Sequence, residues 1–399
     1  MIAKCECRIG TFRIGRSASP QNALQNWGGV FTIKTMQMSK SGKMLTILTF
    51  ILVVFGLIML SSAGVVEGQK KFGSSYYYLI HQFLYGALPG AVIFLLFSRI
   101  NYKFWRKVAL PLLIIVTGLL VLVFVPGIGY SFKGAQRWVG FKFFSFQPSE
   151  FLKLALIVYL AAWFSRYEGR LNAGLHSIAP FFLVFGFAGL LLSLQPDMGT
   201  LVLITLIALS MYFFAGAKLS HFVALILVLA ILLGTFSVLE PYRFDRLKAF
   251  FSSTADKQKE AYHINQALLG IGSGGIFGLG FGQSQQKLFN YLPEPVGDSI
   301  FAIIVEELGF VGAIVLLALF LMLALALINI ARNVHNQFGK LLALGVMAWI
   351  TGQALVNISA ISGLIPLTGI PLPFISFGSS SLVTMLAGLG IVANVSRHS

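Results

Sequence analysis

The chain has 399 residues, 57% of them hydrophobic and 11% charged, with a net charge of +16; its mean hydropathy is +0.85. Soluble domains carry about 25% charged residues, so this composition excludes a soluble protein and predicts one built into a membrane. In a soluble chain so high a positive charge would suggest nucleic acid. Here the cations sit between apolar runs, which argues against a nucleic-acid partner and for a role in membrane orientation.

Residues 1–43 form a polar segment without helical periodicity, expected to be cytoplasmic and disordered. Its Cys5 and Cys7 have no Cys or His partner at ligand spacing, so neither a disulfide framework nor a zinc site is expected. Met36, Met38 and Met44 are candidate start sites, which makes residues 1–37 a candidate upstream extension. Apolar runs follow at 44–64, 75–98, 105–127, 148–165, 178–194, 199–216, 219–238, 299–330, 340–362 and 373–396. Most reach the roughly 17–25 residues that a spanning helix needs. The first is too long for a signal peptide and no small-residue cleavage site follows it, so it reads as a retained helix. The runs do not alternate, which excludes a β-barrel. The expected fold is all-α: a polytopic bundle of about ten transmembrane helices over 44–397, without a soluble domain.

Lys and Arg crowd the N-terminal segment, Arg99 to Lys107, Arg166, Arg170, Lys218, Arg332, Lys340 and Arg397, against Glu6 and Glu168. That bias places both termini in the cytoplasm. Two external segments result: Pro126 to Gln147, and a long loop at 239–298. Structureless loops much beyond about 12–15 residues are usually functional. Of the 13 acidic residues, six lie between Glu240 and Asp298. Carboxylates are expensive near lipid, so such a cluster marks where ions, protons or substrates are handled.

The loop centre, Gly270 to Gly282, contains G-x-G-x-x-G at Gly270, Gly272 and Gly275. A dinucleotide site needs a preceding strand and a βαβ unit, which this setting lacks. Either the backbone amides approach a phosphate or sugar, or the segment is a flexible re-entrant turn. Asp298 follows Leu292-Pro293-Glu294-Pro295 and precedes an apolar run, so it is placed either to cap a helix or to accept a proton or hold a cation, and the two are compatible. Glu306 and Glu307 lie two turns further on, where an unpaired acid is costly; Lys153 and Arg137 are the expected compensators. Glu150 and Lys153 share a helix face, and Asp197 stands at a helix end as a cap or a site carboxylate. A polar central cavity is the favoured reading of this set over a purely structural network. The uncharged turn Gly363 to Ser381 is rich in proline, and its serines read as helix-start residues rather than headgroup ligands. No Ser/His/Asp triad, P-loop or H-E-x-x-H is present.

Together these segments resemble the SEDS family (shape, elongation, division and sporulation) from about Met44 to Val395. The motifs carrying the resemblance are Gly134-Ala135-Gln136-Arg137-Trp138, Gln147-Pro148-Ser149-Glu150 with Lys153, and Gln195-Pro196-Asp197 with Gly199-Thr200. They continue with Pro241-Tyr242-Arg243-Phe244, Gln266-Ala267-Leu268, Gly272-Ser273-Gly274-Gly275, Leu292-Pro293-Glu294, Glu306-Glu307-Leu308-Gly309 and Pro366 to Phe374. The loop wording resembles the division branch more than the elongation branch. The family reads roughly H-T-D-F-I-F around its essential acid; this chain has Val296-Gly297-Asp298-Ser299-Ile300-Phe301, keeping the Asp without the His-Thr and the Phe.

The resemblance implies a peptidoglycan glycosyltransferase that polymerises lipid II at the outer face of the bacterial plasma membrane, working with a class B penicillin-binding transpeptidase and other divisome proteins. It implies Asp298 as the catalytic acid, as general base or as ligand of a divalent cation, Mg or Mn. The residues expected at the substrate are Arg137, Glu150, Lys153, Asp197, Arg243, Gln266, Ser273, Glu306 and Glu307. A lipid II flippase uses the same intramembrane polar residues and is the competing class, an elongation-type polymerase a further one. A scaffold that recruits the transpeptidase would tolerate loss of every external carboxylate.

Overall fold

The computed structural model describes residues 38–132, 135–141, 144–167, 175–195, 197–217, 223, 259–289 and 291–398. These belong to the unit Met36–Ser399. The first helix, α1, spans Lys40–Ala63 and is capped by Ser39, whose hydroxyl accepts from Gly42 N. It therefore begins inside the segment expected to be disordered, because Ser39 supplies the missing acceptor at the helix start. A short α2 (Val65–Phe72) follows, and then α3 (Tyr77–Arg99). Pro89 has no N–H for the carbonyl of Tyr85, and α3 widens there into a π turn at Phe83–Ala87. The next helix is α4 (Tyr102–Leu122), capped by Asn101.

The all-α reading assigns no strand to the external segment between α4 and the following helix. That segment is a three-stranded antiparallel sheet, β1 (Gly129–Phe132), β2 (Ala135–Phe141) and β3 (Phe144–Phe146), in the order β1-β2-β3. Then come α5 (Pro148–Arg166), α6 (Leu175–Leu194) and α7 (Met198–Phe214). Apart from residue 223, the expected helix at 219–238, the first part of the long loop and Arg243 lie outside the described residues. The later part of that loop is folded: α8 (Lys259–Ser273) packs along α10 (Ile300–Asn333), and α9 (Gln285–Leu288) is tied to it by hydrogen bonds to Glu306. The bundle closes with α11 (Gln337–Ile361) and α12 (Ser379–Val395). The last apolar run starts at 373 in the sequence, but Pro371 and Pro373 withhold N–H groups and the helix begins only at Ser379.

Among the described residues, six helices are long and apolar enough to cross a membrane: α1, α3, α4, α5, α10 and α11. Their faces explain how they sort. On α1, α4 and α10, Phe50, Ile114, Ile115 and Leu321 are exposed, as lipid-facing side chains are. By contrast α5 and α11 are 78% and 67% buried over their apolar windows and form the centre. Small residues let helices touch: a Cβ on Gly390 of α12 would lie 2.7 Å from the carbonyl of Phe94 on α3.

The 299–330 run reads as one helix, but α10 is broken at Gly309, with φ 71° and ψ −169°. Four backbone groups lose their helical partners there and find them on the glycine-rich segment. Leu279 N donates to Glu306 O (2.9 Å) and Gly280 N to Glu307 O (3.0 Å). In return Phe310 N donates to Gly275 O (2.9 Å) and Val311 N to Ile276 O (3.1 Å). This is why the segment is glycine-rich: a Cβ on Gly278, at φ +81°, would lie 2.2 Å from Glu307 O. The strap's amides are thus used by the helix break, so neither the phosphate-cradle nor the flexible-turn reading describes it. Gly278→Val is expected to destabilise the protein by at least about 1–3 kcal/mol of backbone strain, read as a lower thermal unfolding midpoint in detergent; an unchanged midpoint would contradict the pairing.

Candidate functional site

Asp298 sits in the turn before α10. The cap of that helix is Ser299, one position later, and it makes no side-chain cap bond, so the capping role considered for Asp298 does not apply. Instead the carboxylate is half-buried. Ser299 Oγ lies 3.4 Å from its Oδ1, and a Cβ on Gly369 would lie 3.9 Å from its Oδ2. The backbone around it is held from several elements. Asn357 of α11 spends both amide hydrogens on carbonyls, Asp298 O and Ile370 O, each at 2.8 Å. Ser376 donates to Gly297 O at 2.6 Å, and Phe377 N donates to Val296 O at 2.8 Å. The proline-rich turn is therefore a clamp on the Asp298 turn, and its Ser376 is structural.

That clamp continues to α5. Lys153 Nζ lies 2.7 Å from Glu150, with side chains 1% and 5% exposed. It also donates to Gln353 Oε1 at 3.2 Å and stands 5.5 Å from the Trp349 ring centre. Trp349 Nε1 donates to the same Gln353 oxygen at 3.0 Å, and Gln353 Nε2 donates to Pro371 O at 2.8 Å. Gln353 and Asn357 are one turn apart on α11, so the Glu150–Lys153 pair connects through the Pro371 turn to Asp298. Lys153 is sealed in this network rather than presented to an entering anion.

Arg137, on β2, is partly exposed. It lies 3.6 Å from Asp197 Oδ1, and its Nε donates to Gln195 O at 3.3 Å. Asp197 caps α7. Its Oδ2 accepts from Thr200 Oγ1 at 2.8 Å and from Ser149 and Gln147, each at 3.4 Å. Gly199 lets the α7 start approach the clamp, where a Cβ would meet Thr368 O at 2.5 Å. Arg137, Glu150, Lys153, Asp197 and Asp298 are thus joined through one end of the bundle.

Glu306 and Glu307 are buried elsewhere, and their compensators are not Lys153 and Arg137. Glu306 accepts from Ser284 Oγ and from Gln285 N at 2.9 Å and Gln286 N at 3.3 Å, so it caps α9 from outside. Glu307 pairs with Lys287 and accepts from Ser62 of α1 at 2.8 Å. Both acids fasten the loop to the helices. Ser273 is exposed and its hydroxyl donates to Gly270 O at 2.9 Å; Gln266, on α8, is half-buried.

Sequence reasoning missed three residues. Gln353 and Asn357 were detectable, because two amides a turn apart in an apolar helix are as anomalous as charges. His263 gave no such signal. From α8 its Nε2 reaches Ser299 Oγ at 2.5 Å, while that hydroxyl donates to Pro293 O at 2.9 Å. With its proton so placed, Ser299 receives a hydrogen bond from His263, and an imidazole stands beside the Asp298 turn after all. Among the described residues there is no group of three or more metal-ligating side chains. The Asp298 carboxylate is the kind of oxygen ligand that Mg takes, which is commonly bound through one or two carboxylates.

Fold and site define a polytopic membrane protein that holds one carboxylate rigidly at an end of its bundle. A family model described as "Cell cycle protein" (FtsW, RodA and SpoVE) matches residues 43–399. The chain belongs to this family, the SEDS proteins. It is 39% identical over 357 residues to stage V sporulation protein E of Bacillus subtilis (strain 168), across 89% of this chain and 97% of that protein. It is 38% identical over 348 residues to a Geobacter sp. (strain M18) protein named "Probable peptidoglycan glycosyltransferase FtsW", across 87% of this chain and 94% of the other. Among solved structures, a chain of a peptidoglycan synthase complex that coordinates polymerization and crosslinking superposes with a TM-score of 0.74 at 27% identity, covering 88% and 96% of the two chains. The rod shape determining protein RodA of Thermus thermophilus superposes with a TM-score of 0.65 at 27% identity, covering 88% and 95%.

Proposed function

We propose that the chain is a peptidoglycan glycosyltransferase that polymerises lipid II at the outer face of the bacterial plasma membrane during cell division. The observation that carries this reading is the half-buried Asp298 carboxylate, braced by Asn357, Ser376 and the His263–Ser299 pair at one end of an apolar bundle. Asp298 takes the proton of the acceptor sugar's 4-hydroxyl as that oxygen attacks the anomeric carbon of a second lipid-linked unit. The anomeric centre inverts, and undecaprenyl diphosphate leaves with the bonding pair. Among the described residues, Arg137 is the cation placed to meet that charge, since Lys153 is enclosed. A divalent cation, Mg or Mn, held by Asp298 would share the same task. The cation-rich end, with Arg99, Arg166, Arg332 and Arg397, faces the cytoplasm with both termini. The FtsW-named relative supports the division role, and the synthase-complex neighbour supports a class B penicillin-binding partner alongside other divisome proteins.

The test is polymerisation of lipid II by the purified chain in liposomes, with and without the cognate transpeptidase and with chelator. Glycan strands are expected; translocation of labelled lipid II without polymer would instead establish a flippase. His263 acts as a positioning residue. His263→Ala is expected to lower the polymerisation rate by about 10–10²-fold, as small misplacements of a reacting group do. His263→Gln, which keeps a donor, should recover most of it. Equal loss in both variants would remove His263 from the account.

A further inference from the structure

At the end of the bundle away from Asp298, a groove of about 420 Å³ opens between α4 and α5. Small-ligand sites span about 300–1,000 Å³. Its lining brings together Arg106 and Lys107 from α4 and Arg166 from α5, with Tyr159 and Trp163 as its aromatic wall. All three cations are exposed, and among the described residues no carboxylate pairs with them. Two cations from α4 and one from α5 line the same groove, a placement that favours an anion there. Tyr159 and Trp163 are stacked with centroids 6.2 Å apart, and Tyr167 continues the series 5.0 Å from Trp163. Such rings mark the depth where headgroups meet acyl chains. Below them Leu110, Ile114 and Ile115 are 53%, 62% and 61% exposed, an apolar track running along α4 from the groove into the bilayer.

We propose that this groove binds one anionic glycerophospholipid: its phosphate between Arg106, Lys107 and Arg166, its glycerol against Tyr159 and Trp163, and an acyl chain along α4. Basic pockets between helices at the cytoplasmic side suit such headgroups. That the lipid belongs to the cytoplasmic leaflet rests on the orientation proposed above; the binding itself does not. The glycosyl-transfer reading puts no residue here, so the site is separate from Asp298.

Native mass spectrometry of the detergent-purified full chain, with equal phosphatidylglycerol and phosphatidylcholine, reads this directly without relying on activity or orientation. One phosphatidylglycerol is expected to be retained in preference to phosphatidylcholine. Each cation near an anionic surface contributes a factor of about five in binding constant. Arg106→Gln/Lys107→Gln/Arg166→Gln should therefore lower retention by about a hundredfold. The control Lys43→Gln/Arg332→Gln/Lys340→Gln, which removes exposed cations at the same end, should leave it unchanged. If the triple groove variant fails to fold, Arg106→Gln and Arg166→Gln singly should each weaken retention by about fivefold. No preference in the wild-type chain, or equal loss in the control, would overturn the proposal. Displacement of the lipid by millimolar inorganic phosphate would do so too, since it would make this a site for free phosphate.

Discussion

Asp298→Asn is expected to abolish lipid II polymerisation while leaving the protein folded. Asparagine has nearly the same volume, and the bonds that hold the turn run to the backbone of Asp298 and its neighbours: Asn357 to Asp298 O, Ser376 to Gly297 O and Phe377 N to Val296 O. None of these needs the carboxylate. What the substitution removes is the group that accepts a proton, and with it the charge that would hold a cation. General base catalysis alone is worth about 10²–10⁴-fold, and loss of a cation site adds to that. The measurement is glycan synthesis in liposomes beside the thermal unfolding profile. Near-normal glycan with the native profile would sink the assignment, whereas a collapsed profile would show that the carboxylate also serves the fold.

Lys153→Met should produce the largest loss of stability of any single change at the site. The ammonium is almost wholly enclosed, and its removal leaves Glu150 as a buried charge without its counter-ion. Breaking one side of such a pair typically costs about 3–5 kcal/mol. It also takes a donor from Gln353, whose amide holds the Pro371 turn. The effect therefore spreads towards Asp298 along the polar chain. Glu150→Gln/Lys153→Met, which neutralises both partners, is expected to cost less than Lys153→Met alone. Thermal unfolding in detergent decides between them. A double variant less stable than the single one would mean that the pair contributes net attraction beyond offsetting its own desolvation.

The helical bundle was legible because hydropathy over a span-length window is a local property, and so was the Glu150–Lys153 pair, which lies within one turn. The rest of the site depends on distant contacts. Lys287 pairs with Glu307 from across a turn that no helical periodicity joins, so Lys153 and Arg137 looked like the nearest compensators. Apart from Glu306 and Glu307 the run at 299–330 is apolar, and its hydropathy does not separate Gly309 from an ordinary glycine inside a spanning helix. The strands β1 to β3 escaped notice because they are short and carry the aromatic and basic residues of an ordinary interfacial loop. His263 was invisible for a similar reason, since its partner Ser299 lies on another element.

The broken helix has one more consequence. The part of α10 before Gly309 starts at Ile300, two residues after Asp298, and ends near the carbonyls of Glu306 and Glu307, which are bonded to Leu279 and Gly280. Phe310 and Val311, beyond the break, are bonded to Gly275 and Ile276 of the same strap. The strap thus acts as a splint across a fracture, aligning two rods that no longer share helical bonds. Its apex carries Phe277, 81% exposed. Severing the chain there would uncouple the two rods while leaving intact the bonds that hold the backbone of the Asp298 turn.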